Sequence, residues 1–395
     1  MQQDKVTSRY KYPISDRELD RRFHATQTAL KEAGLDCVLT QNHCPIFDGG
    51  IRYYLDCPTN GYASALLIPA DGAMVLVNHG PDGIVVPNAY RNVEKMYLKP
   101  YCLTFGFSDT MAAELMVAEI KSRNYRRVGL YGLQFISFSF GEYLKANLPD
   151  VEFVDFSSGI KAITAIKSEE EWELIDLSVR CHEHLMSALP AIIVPGRLEC
   201  EVRADLEHMA LQMGCDTIGN VAVGSGLPDT PVMFKPHFVG NRRIQRGDSV
   251  AVMIEVAAPG GIYGELARTF TLGEPTEKLL KLFDIAKNTQ AAIAHAAKPG
   301  VTGAYLSKVF NDFVDQYGIE HNTRNAGHGQ GYDMMESPAI ADQEDMVLQE
   351  DMFISIHPEL TAMDNFAICC DNFRITKDGA VRLTRTPQEV FKLEV

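Results

Sequence analysis

The stretch NAGHGQGYDMMESP, residues 325–338, decides how this chain is read. His328 stands between Gly327 and Gly329, and flanking glycines let a backbone pass close to a ligand while leaving the imidazole uncovered. A turn histidine is the structural alternative. Three further stretches share the same character, a short apolar run interrupted by one or two groups able to carry chemistry. GDSVAVMIE (247–255) ends on Glu255, YGELARTF (263–270) holds Tyr263, Glu265 and Arg268, and ISIHPEL (354–360) holds His357. Just beyond them come Cys370 and Asp371, for which a buried thiol and a turn cap are the structural readings. Upstream, His237 follows Pro236 and precedes a basic, Gly-containing turn; an imidazole there can take and return a proton near neutrality.

Outward from these stretches an internal repeat organises the second half. Pro195-Gly196 and Pro299-Gly300 each open a helical segment, and Gly196 to Gly214 spans the same 18 residues as Gly300 to Gly318. A long amphipathic pattern precedes each copy (170–189 and 277–297), and strand-like segments follow each. Two helices followed by strands, repeated, predict a pseudo-twofold α+β domain with a curved antiparallel sheet, and ligand sites favour the meeting of such halves. The first 158 residues instead alternate helix-like and strand-like segments, which predicts an α/β layer domain. Ser15 to Ala33 has helical spacing, and 37–39, 63–68, 73–77 and 128–131 are strand candidates. The predicted domains are therefore 1–158 and 159–395, with a charged stretch over 160–175 opening a long helix.

Composition narrows the functional classes. The chain has 395 residues, 46% hydrophobic and 23% charged, as expected of an ordinary globular protein. A formal charge of −15 argues against a nucleic-acid partner and favours a small, cationic substrate. No apolar run reaches the roughly 20 residues that cross a bilayer, so no membrane partner is expected. Residues 1–17 lack an apolar core segment, so no signal peptide is read. Nine cysteines without regular spacing fit reduced thiols, and a cytoplasmic location is expected.

The four stretches, the segments IKSEEE (166–171) and KPGVT (298–302), and their order resemble the creatinase/methionine-aminopeptidase ("pita-bread") family over essentially the whole chain. The resemblance implies an N-terminal creatinase-like domain and a homodimer whose N-terminal domain roofs the partner's site. Arg52 and Tyr62 occupy the region that would reach a neighbour's substrate. Metal-using members carry two Asp, one His and two Glu at five places. Here Glu265 stands in the second Asp place, His328 in the His place, His357 in the first Glu place and Cys370 in the second; at the first Asp place the register slips, with Glu255 the nearest carboxylate. Met335 stands where a second family histidine is usual. Glu255 lies eight residues before Tyr263, as in ectoine hydrolase.

These departures lead to the expectation of a metal-independent, creatinase-like hydrolase of a C–N bond in a small nitrogen-rich metabolite, with no cofactor. His237 would move protons, Glu255 and Glu265 would hold a cationic nitrogen, and His328 and His357 would bind the oxyanion. Tyr263, Arg268, Cys370 and Asp371 join Arg52 and Tyr62 as substrate-binding candidates. The alternative is a peptidase or lyase with one Zn or Fe on Glu265, His328, His357 and Cys370, a mixed donor set suited to those ions. A non-catalytic binding module is the third reading, and retention of His237 and His328 counts against it.

Overall fold

A computed structural model describes residues 12–42, 44–47, 49–57, 62–100, 108–232, 234, 242–321 and 324–394. It divides into two compact units, Met1–Thr164 and Ala165–Val395.

In the first unit the elements run α1 (Asp16–Glu32), β1 (Cys37–Asn42), α2 (Gly49–Leu55), β2 (Ser64–Pro69), β3 (Met74–His79), β4 (Val85–Pro87), β5 (Val93–Lys99), α3 (Ser108–Ser122), β6 (Arg127–Tyr131), α4 (Phe138–Asn147), β7 (Glu152–Asp155) and α5 (Ser157–Thr164). Ser15 caps α1 by accepting the Glu18 amide, so the helix begins where the side chain satisfies one of its orphan N–H groups. Seven strands form one mixed sheet in the order β4-β5-β3-β2-β1-β6-β7, with β1 antiparallel to β2 and parallel to β6. Its core joins Leu39, Leu67 and Val75 to Met116 and Ile120 of α3 and to Phe140 and Leu144 of α4.

The second unit opens with α6 (Glu169–Ile192). Over 160–175 the chain does not run on as one helix: α5 ends at Thr164, and Ser168 and Glu171 form a reciprocal capping box that starts α6 afresh. Then follow α7 (Glu199–Met213), β8 (Thr217–Gly226), β9 (Ser249–Ala257) and β10 (Tyr263–Leu272). The second copy is α8 (Glu277–Ala296), α9 (Gly303–Asp315), β11 (Gly327–Gly329), β12 (Glu336–Ala339) and β13 (Phe353–Ile356). The chain ends with β14 (Glu359–Ala362), β15 (Asn365–Ile368), β16 (Asp371–Thr376), β17 (Gly379–Arg382) and β18 (Phe391–Leu393). Gly214 closes α7 in the left-handed conformation at φ 88°, which an L side chain rarely adopts.

The two copies build a four-stranded sheet, β18-β10-β9-β8, and a five-stranded sheet, β12-β11-β13-β16-β17. An isolated Ala267–Cys370 bridge joins them, and Asn372 reinforces it by donating to the Glu265 carbonyl (2.8 Å) and accepting the Glu265 amide (3.1 Å). Strand alternation then sorts the side chains. Ile254, Val256 and Leu266 pack with Leu185 and Leu189 of α6, while Ala251, Met253 and Ala267 pack with Ile368 and Cys370. Glu255 and Glu265 share the second parity, so both face away from the helices. In the other sheet Ile354, Ile356, Phe373 and Ile375 enter the α8–α9 core, which turns Ser355 and Asn372 to the opposite face. His328 is the ladder partner of Ser355 and lies on that same face. The fold therefore collects Glu255, Glu265, His328 and Ser355 on the helix-free faces of both sheets.

Candidate metal centre

Glu265 from β10, His328 from β11 and His357 just past β13 meet there. All three are buried, and one ligand atom from each lies within 4.8 Å of the others. The Nε2 atoms of His328 and His357 stand 3.5 Å and 3.9 Å from Glu265 Oε2. Their rings meet edge to face at 5.2 Å between centroids.

The proton inventory tells what this cluster lacks. His328 Nδ1 sits 2.8 Å from the Gly329 carbonyl, which only accepts, so Nδ1 carries the proton and Nε2 turns a lone pair toward Glu265. Burial pushes the His328 pKa down to about 4 despite the nearby Glu265 charge, and burial lowers His357 as well. Both rings are thus neutral near pH 7. Glu265 Oε2 and His357 Nδ1 have no hydrogen-bond partner among the described residues, although each is buried. Leaving such groups unpaired costs about 1–3 kcal/mol each. A buried carboxylate oxygen faced by the His328 lone pair and by a second imidazole, with no hydrogen bond joining them, is a geometry that a cation completes.

The donor set fits one ion. Two neutral imidazoles and one carboxylate are the three-ligand set of open catalytic zinc sites and of two-His-one-carboxylate iron sites. A pair of hard ions is not provided for. Glu255, the direct ladder partner of Glu265, accepts Asn220 Nδ2 at 3.1 Å. Burial, then the Glu265 charge, holds the Glu255 carboxyl well above its usual range. Cys370 is fully buried; burial and then Glu265 raise its thiol far above the usual value, and it lies outside the converging group. Burial also raises Glu359, two residues past His357.

The other expected residues are distributed differently. Arg268 and Asp371 form a fully buried ion pair at 2.6 Å. The guanidinium also donates to the carbonyls of Cys370 (2.8 Å), Thr386 (3.0 Å) and Pro387 (2.7 Å), which ties down the C-terminal segment. Tyr263 is buried at the start of β10. In the first unit Arg52 is buried within α2, and Tyr62 stacks on His79 with centroids 4.2 Å apart. His237 lies outside the described residues. Two residues that sequence reading passed over join the site face. Gln330 and Ser355 are fully buried, with the Gln330 amide and the Ser355 hydroxyl unpartnered. The signal for Gln330 was its place two residues after His328 in a strand, where alternation returns it to the same face.

The sequence matches the profile of metallopeptidase family M24 over residues 173–386 and that of the creatinase/prolidase N-terminal domain over 22–166. It is 28% identical over 344 residues to an Xaa-Pro dipeptidase of Pyrococcus furiosus, covering 86% of this chain and 94% of that one. Two solved structures share the fold. Dipeptidase PepE from Mycobacterium ulcerans superposes with a TM-score of 0.76 at 22% identity, over 97% of this chain and 100% of that one. The prolidase from Pyrococcus horikoshii OT3 gives 0.75 at 23%, over 93% and 99%. These findings, with the unsatisfied buried Glu-His-His cluster, overturn the expectation of a metal-independent, creatinase-like hydrolase without a cofactor. The replacements misled because they were read as loss of the metal, whereas three of the five places, Glu265, His328 and His357, still carry converging donors.

Proposed function

This chain belongs to metallopeptidase family M24, whose members are hydrolases of C–N bonds, and from that premise we propose that it is a peptidase working with a single metal ion held by Glu265, His328 and His357. The observation that carries the reading is the buried convergence of those three donors, with Glu265 Oε2 and His357 Nδ1 left without partners. The similar proteins are named Xaa-Pro dipeptidases, so a dipeptide or a compact amide is the substrate class assigned first. A divalent ion at this place supplies Lewis acidity toward a carbonyl oxygen and makes water a better nucleophile.

The chain's own residues do the remaining work. The His328 Nδ1–H bond to Gly329 fixes its tautomer and ring, as an outer hydrogen bond does for metal-binding histidines. Glu255, opposite Glu265 and steadied by Asn220, is the carboxyl placed to pass a proton to a leaving nitrogen. Gln330 and Ser355 line the same face and offer donors and an acceptor to an amide. Tyr62, exposed in the first unit, supports a further proposal, a homodimer in which the N-terminal domain completes the partner's site, whereas the buried Arg52 is not available for that role. The described residues contain no helix long and apolar enough to cross a membrane, and cytoplasmic placement is proposed with the reduced cysteines in its favour.

Elemental analysis of protein purified without added metal, beside hydrolysis of an Xaa-Pro and general dipeptide panel, tests this. One equivalent of Zn or Fe per chain, with hydrolysis lost to a chelator and restored by that ion, is expected. Two equivalents per chain, or turnover indifferent to chelation, refutes the single-ion site.

A further inference from the structure

Outside the metal centre the second unit carries a cavity of about 680 Å³, a volume within the usual range of small-molecule sites. One wall is the outer stripe of α6, with Trp172, Asp176, Arg180 and Glu183; the other is Arg374 of β16 and the end of β17, with Arg382 and Arg385. Four arginines against two carboxylates leave this lining at +2, in a chain whose formal charge is −15.

Much of that positive charge is uncommitted. Arg180 pairs with Asp176 at 2.9 Å in an exposed (i, i+4) contact of small value. Glu183 spends a carboxylate oxygen on the backbone amides of Arg385 and Thr386, so it fixes the wall instead of neutralising the Arg385 guanidinium. The Arg385 side chain itself has no partner among the described residues. Arg382 reaches only 3.9 Å from Asp371, whose charge Arg268 already compensates at 2.6 Å. Arg374 is held rigid by Asp351 at 2.5 Å and by stacking 4.3 Å over the Trp172 ring. Trp172 Nε1 is buried without a hydrogen-bond partner. The cavity thus offers one guanidinium without a partner among the described residues, that of Arg385, a second held only at 3.9 Å, that of Arg382, and a third fixed in place, that of Arg374.

We propose that this groove between α6 and the end of β17 is a second binding site, for a small multivalent oxyanion. Planar guanidinium forks match the oxygens of a phosphate or a carboxylate two at a time. The proposal stands independently of the metal centre, because none of its lining residues is a ligand there.

Trp172 is the only tryptophan of the chain, so its emission reports this site alone. The test titrates the intact protein with pyrophosphate, inorganic phosphate and citrate at constant ionic strength, with NaCl as the control. A saturable change in emission is expected for at least one of them, tightest for pyrophosphate if the ligand is a phosphate ester and for citrate if it is a polycarboxylate. The Arg382→Ala/Arg385→Ala protein should bind at least tenfold more weakly while keeping the wild-type Tm and metal content. Trp172→Phe, followed by calorimetry, should retain binding and so separate the reporter from the site. A response linear in concentration, one reproduced by NaCl, or one unchanged in the double-arginine variant overturns the proposal.

Discussion

Glu265→Gln separates a metal ligand from a structural carboxylate, because the two roles predict opposite signs. Without metal, Glu265 has an unpartnered buried Oε2 and stands directly across β9–β10 from Glu255. Gln keeps the shape and removes the charge, so the metal-free variant should be as stable as the metal-free wild type, or more so. With metal the order inverts. An ion at 100 times its Kd stabilises the native state by about 2.7 kcal/mol. At the roughly 2–4 °C per kcal/mol of a unit this size, the wild-type Tm should rise by about 5–10 °C. The variant, with a neutral amide among its donors, should lose nearly all of that rise. Thermal unfolding followed through Trp172, which lies in the second unit, with chelator and then with added Zn or Fe(II), measures all four values. A full metal-induced rise in Glu265→Gln would remove Glu265 from the ligand set. A metal-free variant several degrees below metal-free wild type would show the carboxylate to be a structural anchor.

His182 should make the protein acid-labile. Burial lowers its pKa to about 4, so as pH falls from 6.5 toward 4 the unfolded chain takes up a proton that the native state refuses; about 2 kcal/mol should be lost by pH 5 and about 3 kcal/mol below pH 4, and a flat profile of urea midpoints in that window would contradict it. Arg268→Met leaves the buried Asp371 with only the Arg382 guanidinium, 3.9 Å away, as a cationic partner and should cost about 3–5 kcal/mol, read as a lower urea midpoint; a loss under 1 kcal/mol would mean the pair is not desolvated. Ser168→Ala removes the side-chain cap of α6 and should cost about 1 kcal/mol by the same measurement, with metal content unchanged. Sedimentation at micromolar concentration should report twice the 43.8 kDa chain mass, and a fully active monomer would refute the shared site.

The fold was legible because its signals are local and repeated. Equal spacing from Gly196 to Gly214 and from Gly300 to Gly318 reflects α7, capped by the left-handed Gly214, and α9, followed three residues on by the left-handed Gly318, and Ser15 marked the start of α1. The long helix expected over 170–189 matches α6, and the Ser168–Glu171 box supplies the physical reason it begins there. At the site, Glu265, His328 and His357 could be named from the sequence, but not their convergence. That depends on Asn372 and the Ala267–Cys370 bridge bringing β10 against β16, contacts more than 100 residues apart in the chain. The role of Arg268 was hidden for the same reason: its carboxylate and carbonyl partners come from 370–387.

The identity of the replaced ligands supports the proposal of a single ion. A second hard cation needs bridging carboxylates, and His357 and Cys370 cannot bridge as a carboxylate does. Glu255, the remaining acid on this face, cannot ionise freely against Glu265 in a buried site, since desolvation and like charge act in the same direction. The thiol of Cys370 is held protonated by the same pair of effects. The face therefore presents one carboxylate donor, Glu265, and two imidazoles whose pKa values burial lowers, a donor set that suits one dication better than two. Substituting His357 by Glu should shift the balance toward a second ion, and substituting Cys370 by Glu as well should complete the change. Metal content rising from one toward two equivalents across that pair of variants is the expected series. If both variants keep a single equivalent with unaltered affinity, the donors at 357 and 370 do not set the stoichiometry and the charge argument fails.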